Sequence, residues 1–386
     1  MPSDFLEKGF AGTHDFIKIS KTEGAKKTLF VFSHVGYPAG KFALSNELSG
    51  IYANIVYINT EKNSWYQAGA GPDMPSIPLL QDALLRIKSE LESEETYAVG
   101  MSMGGYAAVL FGDLLDADAV LAFTPEISIG LSHSRSWRLN ELKHYDEKFK
   151  TLSGIINKPS TTIFNLVYGI YDLTDLALLW PISERLYSSS NVNFLPCSDG
   201  HKVPLSVSVR NLVQEMLDHH RLEGPNLGSF YAPEETFNRE DLIQLRAAVQ
   251  LHEAGHHPEL RKLLENRLPD RAWRNYFIAE SFRAENNTKG AIPFYYRTIA
   301  QDGRYAMPYF WLCEALEAEG RYDEAAFAWS RLLQIAPNNI QFNRRCGMNL
   351  LRLKIYDGAG RMFQNILRIN PGDIAAREQL DALQKS

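Results

Sequence analysis

Three short stretches hold residue types that could do chemistry. Gly100, Met101, Ser102, Met103 and Gly104 form G-x-S-x-G, and Asp172, in YGIYDLTD, and His201, in PCSDGHKVP, follow downstream in that order. A serine hydroxyl is a poor nucleophile until an imidazole takes its proton, and a carboxylate keeps that imidazole in the useful tautomer. In that division of labour Ser102 attacks, His201 accepts and returns the proton, and Asp172 orients His201. Asp175 lies on the same stretch as Asp172 and competes for the acid role, while Asp199, beside the histidine in sequence, reads as a turn residue. The third stretch is LHEAGHHPEL, where His252, Glu253 and His256 spell H-E-x-x-H, a spacing that holds zinc when both histidines share one continuous helix.

The elements around the serine follow from apolar patterning. KKTLFVF carries a β-rich run from Thr28 to Phe32, NIVYINT is a second short strand, and PLLQDALLRIKSELESEE is an amphipathic helix. Further strands are Thr96 to Val99, AVLAF, Thr162 to Tyr168, and Val192 to Leu195. This alternation implies an α/β unit with a mostly parallel sheet and helices on both faces. Ser102 then falls on a sharp turn between a strand and a helix, with Asp172 and His201 each just beyond a strand's carboxyl end.

That arrangement resembles the α/β-hydrolase family over roughly residues 15 to 218. The resemblance implies a serine hydrolase without a cofactor, acting on an ester or thioester of a small or carbohydrate-linked acyl group. It also implies an oxyanion hole, with one donor at the Met103 N–H and a second from SHVGYPAG. There Val35 separates His34 from Gly36, a departure from the family's His-Gly pair, so Val35, Gly36 and Tyr37 all remain candidates. Asp172 is preferred to Asp175 because it stands three residues after Gly169, as in the family's G-x-x-D pattern. His34 reads as a loop-orienting residue. The stretch ISIGLSHSRSWRLNELKHYDEKFK, within 127–160, stands where the family carries a lid. Trp137 there could cover an acyl or sugar group and Arg135 or Arg138 could meet an anion; a solvated loop explains the same residues, and His144 has no assigned role.

The carboxy-terminal third repeats itself. Glu319 onward aligns with Leu353 onward at an offset of 34, pairing Tyr322 with Tyr356, Asp323 with Asp357, Ala325 with Ala359 and Pro337 with Pro371. Another step of 34 places Ala325 on Ala291 and Gly320 on Asn286, and a step of 31 places Asn286 on Gly255. With small residues at Ala279, Cys313 and Gly347, this pattern over roughly 238 to 373 resembles the tetratricopeptide repeat. The resemblance implies stacked helical hairpins that bind a protein or peptide partner, with Asp373 to Leu383 as a capping helix. In this register Gly255 ends a first helix, Pro258 opens the second and His256 lies in the turn between them, so no metal is expected at H-E-x-x-H.

At 386 residues, with 45% hydrophobic and 22% charged residues, the chain has room for two or three folded domains. The expected division is an α/β-hydrolase-like domain over 1-218, a linker over 219-237 and all-α repeats over 238-386. A net charge of −6 without any long Lys/Arg run argues against nucleic acid as partner. The segment MPSDFLEKGFAG lacks a signal-peptide pattern, no stretch is apolar enough to span a bilayer, and three cysteines without ligand spacing suit a reducing compartment, so a cytoplasmic protein is expected. Two other functions fit the same residues: a non-catalytic scaffold working through the repeats, and an acyltransferase using the same three side chains.

Overall fold

The computed structural model describes residues 15–132, 134–141, 145–202 and 207–385, so the amino-terminal segment read above and His144 lie outside the described residues. The chain divides into two compact units between Glu253 and Ala254.

The first unit is built on a mixed seven-stranded sheet. Its strands are β1 (Ile17–Ser20), β2 (Lys27–Phe32), β3 (Asn54–Ile58), β4 (Glu95–Met101), β5 (Ala119–Phe123), β6 (Ile163–Gly169) and β7 (Val192–Cys197), in the spatial order β1-β3-β2-β4-β5-β6-β7. Only β1 runs antiparallel to its neighbour; every other pairing is parallel. Six strands sit where the apolar runs predict them, and β1, a four-residue edge strand, is an addition. Parallel strands covered on both faces carry apolar runs, as β5 does throughout and β3 after Asn54, with every residue buried.

Helices α1 (Ile77–Glu90) and α2 (Met103–Leu114) differ in how they are buried. The first is capped by Ser76 and presents Ile77, Leu80, Leu84 and Ile87 on one stripe. The second is small and apolar almost all round and packs against β2, β4 and β5, which puts its first turn at the centre of the sheet. The insert beyond β5 contains α3 (Arg135–Leu139), a 3₁₀ turn at Glu147–Phe149 and α4 (Ser153–Asn157). Then come α5 (Leu173–Ala177) after β6, a 3₁₀ turn at Trp180–Ile182, and α6 (Val209–His219).

The stretch 219–237 is no free tether. Leu222 and Leu227 are buried in the sheet's core, the Ala232 amide donates to Pro196 O at 2.9 Å, and Tyr231 bridges Cys197. Helix α7 (Arg239–Glu253), which opens the repeat in sequence, packs on α5, with the Arg246 guanidinium 5.2 Å from the Trp180 ring.

The second unit is a run of helices: α8 (His257–Arg267), α9 (Ala272–Ala284), α10 (Thr288–Gln301), α11 (Ala306–Ala318), α12 (Tyr322–Ile335), α13 (Ile340–Arg352), α14 (Tyr356–Ile369) and α15 (Ile374–Lys385). Pairs α9/α10, α11/α12 and α13/α14 form packed hairpins, each also contacting the next, and α15 closes the stack on α14. Ala279, Cys313 and Gly347 are all buried at equivalent places on α9, α11 and α13, where the neighbouring helix comes close. A Cβ on Gly347 would lie 2.9 Å from the Phe363 ring. Trp273, Tyr295 and Trp329 fill the space between layers and are fully buried.

All three cysteines are free and buried. Among the described residues no helix is long and apolar enough to cross a membrane.

Candidate active site

Ser102 takes φ 54°, ψ −117° between β4 and α2, a conformation that costs a non-glycine residue about 1–3 kcal/mol. Packing imposes it. A Cβ on Gly104 would sit 2.2 Å from Phe32 O, and one on Gly100 would sit 2.1 Å from Gly104 O, so both flanking positions of G-x-S-x-G must be glycine for the helix to start so close to the sheet. The Ser102 amide is tied to Phe123 O at 2.9 Å, and its side chain caps nothing, which leaves the hydroxyl available. Met103 is the first residue of α2, where an amide has no partner within its own helix and can face an anion.

The loops after β2, β5, β6 and β7 come together at the carboxyl end of the sheet, from which Ser102 also projects. Thr124, directly after the residue that holds the Ser102 amide, donates its hydroxyl to His201 O at 3.3 Å. His34, after β2, lies near enough to His201 and Lys202 to feel both electrostatically; burial, chiefly, lowers its imidazole from the usual range, against the Val35 carbonyl, which raises it. His34 Nδ1 and Val35 O are 2.9 Å apart, and its ring packs edge-on to Tyr37.

At His201 the structure departs from the arrangement expected from sequence. His201 Nδ1 lies 2.6 Å from Asp175 Oδ2, so the histidine contact expected of Asp172 is made by Asp175. Asp172 is otherwise engaged: it caps α5, its Oδ1 accepting the Asp175 amide at 2.9 Å, and its Oδ2 accepts from Arg135 Nη2 at 2.7 Å. The cap brings Asp175 into the first turn of α5, pointing at the histidine. Arg135 Nη1 donates to Asp175 Oδ1, also at 2.7 Å, so one guanidinium joins both carboxylates.

The charges in this cluster are unequal. Burial opposes ionisation of Asp172, but Arg135 and His201 outweigh it and its carboxyl lies below the usual range. For Asp175, burial and the neighbouring Asp172 prevail and push the carboxyl up. Burial works against the Arg135 charge as well, yet the two aspartates keep the guanidinium firmly protonated. Behind them Glu126 is almost wholly buried, and its carboxyl is pushed up to about 6, chiefly by that burial. Asp172, Asp175 and His201 are also the one group among the described residues with donor atoms close enough to share a metal ion, but Arg135 already supplies the cation between the two carboxylates.

On the oxyanion side, the Gly36 amide donates to Asn63 Oδ1 at 3.1 Å and is engaged, which leaves Val35 and Tyr37 as candidate donors. The loop is held from below by Asn59, whose Nδ2 donates to Tyr37 O, Pro38 O and Lys41 O at 3.2, 3.0 and 3.0 Å. Among the described residues no hydrogen bond joins Ser102 Oγ to His201.

Residues placed in the insert divide sharply. Arg135 is drawn into the acid cluster, whereas Arg138 pairs loosely with Glu253 at 3.7 Å and Trp137 is 54% exposed. Sequence reasoning missed Glu126, Thr124, Asn59 and Asn63 altogether. At H-E-x-x-H, His252 is in the last turn of α7, Gly255 takes φ 72° and His256 precedes α8, so the two histidines share no continuous helix.

A family model for the tetratricopeptide repeat matches residues 306–339, which span α11 and α12. No curated protein matches the chain. Among solved structures, MamA is similar at 15% identity, covering 36% of this chain and 82% of that one, with a TM-score of 0.32. YrrB, described as a TPR protein with an unusual peptide-binding site, is similar at 17% identity, covering 36% and 77%, with a TM-score of 0.30. The second TPR domain of human RPAP3, solved with an HSP70 peptide, is similar at 23% identity, covering 29% and 93%, with a TM-score of 0.26. The chain carries a tetratricopeptide repeat region.

Proposed function

We propose that the first unit is a serine hydrolase of the α/β-hydrolase kind, cleaving an ester or thioester of a small or carbohydrate-linked acyl group, and that the repeats bind a protein or peptide partner. The observation that carries the catalytic half is the strained Ser102 at a strand-to-helix turn, with a histidine–carboxylate pair on neighbouring loops.

The chemistry follows from those positions. Ser102 Oγ attacks the acyl carbon while its proton passes to His201, and the carbonyl electrons move onto oxygen facing the Met103 amide and one of the Val35 or Tyr37 amides. Collapse of that oxyanion expels the alcohol or thiol, which takes the proton from His201, and water repeats the sequence to release the acid. Asp175 orients the imidazole and stabilises its charged form. The hydroxyl–imidazole hydrogen bond forms when substrate enters, as catalytic contacts in empty sites commonly tighten only then. A groove beside the oxyanion loop is lined by Lys18, Tyr37, Lys41, Asn46 and Glu47, a polar wall that suits a hydrophilic substrate.

The test is labelling with a fluorophosphonate and turnover of a panel of short and long acyl esters and acetylated sugars. Wild type is expected to label and to favour the short or sugar-linked esters, and Ser102→Ala to lose labelling and at least about 10³-fold in turnover. Full activity in that variant ends the reading. The repeat match at 306–339 also favours a second reading, a scaffold without catalysis. Wild type inert to every probe, together with a partner captured by residues 254–386, would decide for it.

A further inference from the structure

One short segment touches both sides of the candidate site. At its start Arg135 forks onto Asp172 and Asp175, the pair that faces His201. At its end Glu141 and Asn63 hold each other: Asn63 Nδ2 donates to Glu141 Oε1 at 2.9 Å, and the Glu141 amide donates to Asn63 O at 3.3 Å. Asn63 in turn accepts the Gly36 amide of the oxyanion loop. The middle is pinned from below. Ser136 N and Oγ both donate to the buried Glu126 carboxylate, Tyr145 OH donates to Ser136 O at 2.9 Å, and the Gly130 amide donates to Ser136 Oγ at 2.6 Å. A five-residue helix is far too short to persist alone, so these contacts are what give α3 its place.

We propose that residues 134–141 form a strap that positions both halves of the catalytic machinery at once, Arg135 fixing the acid–histidine pair and Glu141, through Asn63, fixing the oxyanion loop. This rests on the serine hydrolase reading. Arg135 and Glu141 are positioning residues: the guanidinium's planar fork fixes the relative angle of two carboxylates as a lysine could not. Neither contacts the groove where substrate is expected, so their loss acts on the rate and not on binding.

The full-length protein tests this with Arg135→Gln, Glu141→Ala and the double variant Arg135→Gln/Asp172→Asn, read by fluorophosphonate labelling rate and by kcat and KM on the best ester. Arg135→Gln is expected to lose about 10²-fold in kcat with KM unchanged, the scale of a small misplacement of catalytic groups. Millimolar guanidinium ion is expected to restore part of that loss. Glu141→Ala is expected to lose about tenfold, less than removal of an oxyanion donor itself. Because Arg135→Gln leaves two buried carboxylates facing each other, the double variant removes one of those charges; it is expected to fold and still be slow, since orientation is what was lost. A double variant at wild-type kcat, or Glu141→Ala at wild-type kcat, overturns the strap. Wild type that never labels ends the serine reading and the strap's role with it, whereas labelled wild type with unchanged variants ends the strap alone.

Discussion

The two units use the same rare backbone conformation for different ends. In the repeat unit, left-handed φ falls at Gly255, Asn286, Gly320 and Lys354, at steps of 31, 34 and 34 residues, the last three in the turns of the hairpins α9/α10, α11/α12 and α13/α14. There it ends one helix and aims the next, and glycine or asparagine serves at little cost. In the first unit Glu92, Asp116 and His220 are left-handed where α1, α2 and α6 end, as in the repeats, but Leu44, Trp65, Tyr66, Ser102 and Thr124 are left-handed on loops that leave the carboxyl ends of β2, β3, β4 and β5. Trp65, Tyr66, Ser102 and Thr124 are also buried. Left-handed residues that end helices serve the architecture; those at the carboxyl edge of the sheet, on residues poorly suited to it, are the strain that the proposed site would use.

The largest expected effect sharpens the site side of this contrast. Asp175→Asn removes the acceptor that fixes the His201 tautomer and is expected to lower kcat about 10⁴-fold, the scale of the same change in a serine protease triad. Asp172→Asn keeps the cap on α5 and costs no more than about tenfold. Steady-state kinetics on the two variants decide the matter; equal losses would mean that the carboxylates act as one unit through Arg135.

Next in size is a change meant to leave the site alone. Trp329 is fully buried, its ring meets Phe310 and Phe342, and its Nε1 donates to Glu317 Oε1 at 2.8 Å. Trp329→Ala is expected to destabilise the repeats by about 3–5 kcal/mol and to speed hydrogen exchange across α11 to α14. Ser102 labelling should not change. A parallel loss of labelling would break the separation between the units.

This contrast also explains what could be read from sequence. The repeat was legible because one period sets its hairpins, its small contact residues and its turns together, so agreement at Ala325, Ala359 and Pro371 carries the rest. Ser102 was legible because the elbow needs glycine at 100 and 104 for steric reasons. The partner of His201 was not, because spacing from Gly169 speaks for Asp172, while the contact is set by tertiary facts: an aspartate engaged as a helix cap and an arginine from 37 and 40 residues upstream. The run D-L-T-D did carry one signal, since an aspartate followed three residues later by an acid is the signature of a capped helix start, and a capping side chain has little left for a histidine. Glu126 gave no such sign; nothing local distinguishes a buried glutamate from a solvated one.

Glu126 supplies the third prediction. Its folded pKa of about 6 lies above the ordinary 4.5, so the folded state holds the proton more tightly than the unfolded one. The stability this confers is complete below about pH 4.5 and is lost as pH rises through about 6, a swing of about 2 kcal/mol. Glu126→Gln keeps an acceptor for Ser136 and removes the charge. Denaturant midpoints should agree at pH 4.5 and favour the variant by about 1–2 kcal/mol at pH 8. No gap at pH 8 would mean that Arg135 carries the Glu126 charge at no cost.

The smallest effect bears most directly on the comparison. Lys354 sits at φ 60° where the preceding repeat has Gly320, and its amide donates to Leu351 O in closing α13. Its conformation serves only that turn. Lys354→Gly removes a left-handed penalty of about 1 kcal/mol, offset in part by the greater freedom of glycine in the unfolded chain, so the net gain should be about 0.5 kcal/mol. Thr124→Gly relieves the same kind of strain at φ 45°, but it also removes the hydroxyl that tethers His201 O, so it should lower kcat. Thermal melts and ester turnover of both variants read the two effects side by side. Should Thr124→Gly leave turnover intact, the strain at the sheet edge would be architecture like that of the repeats.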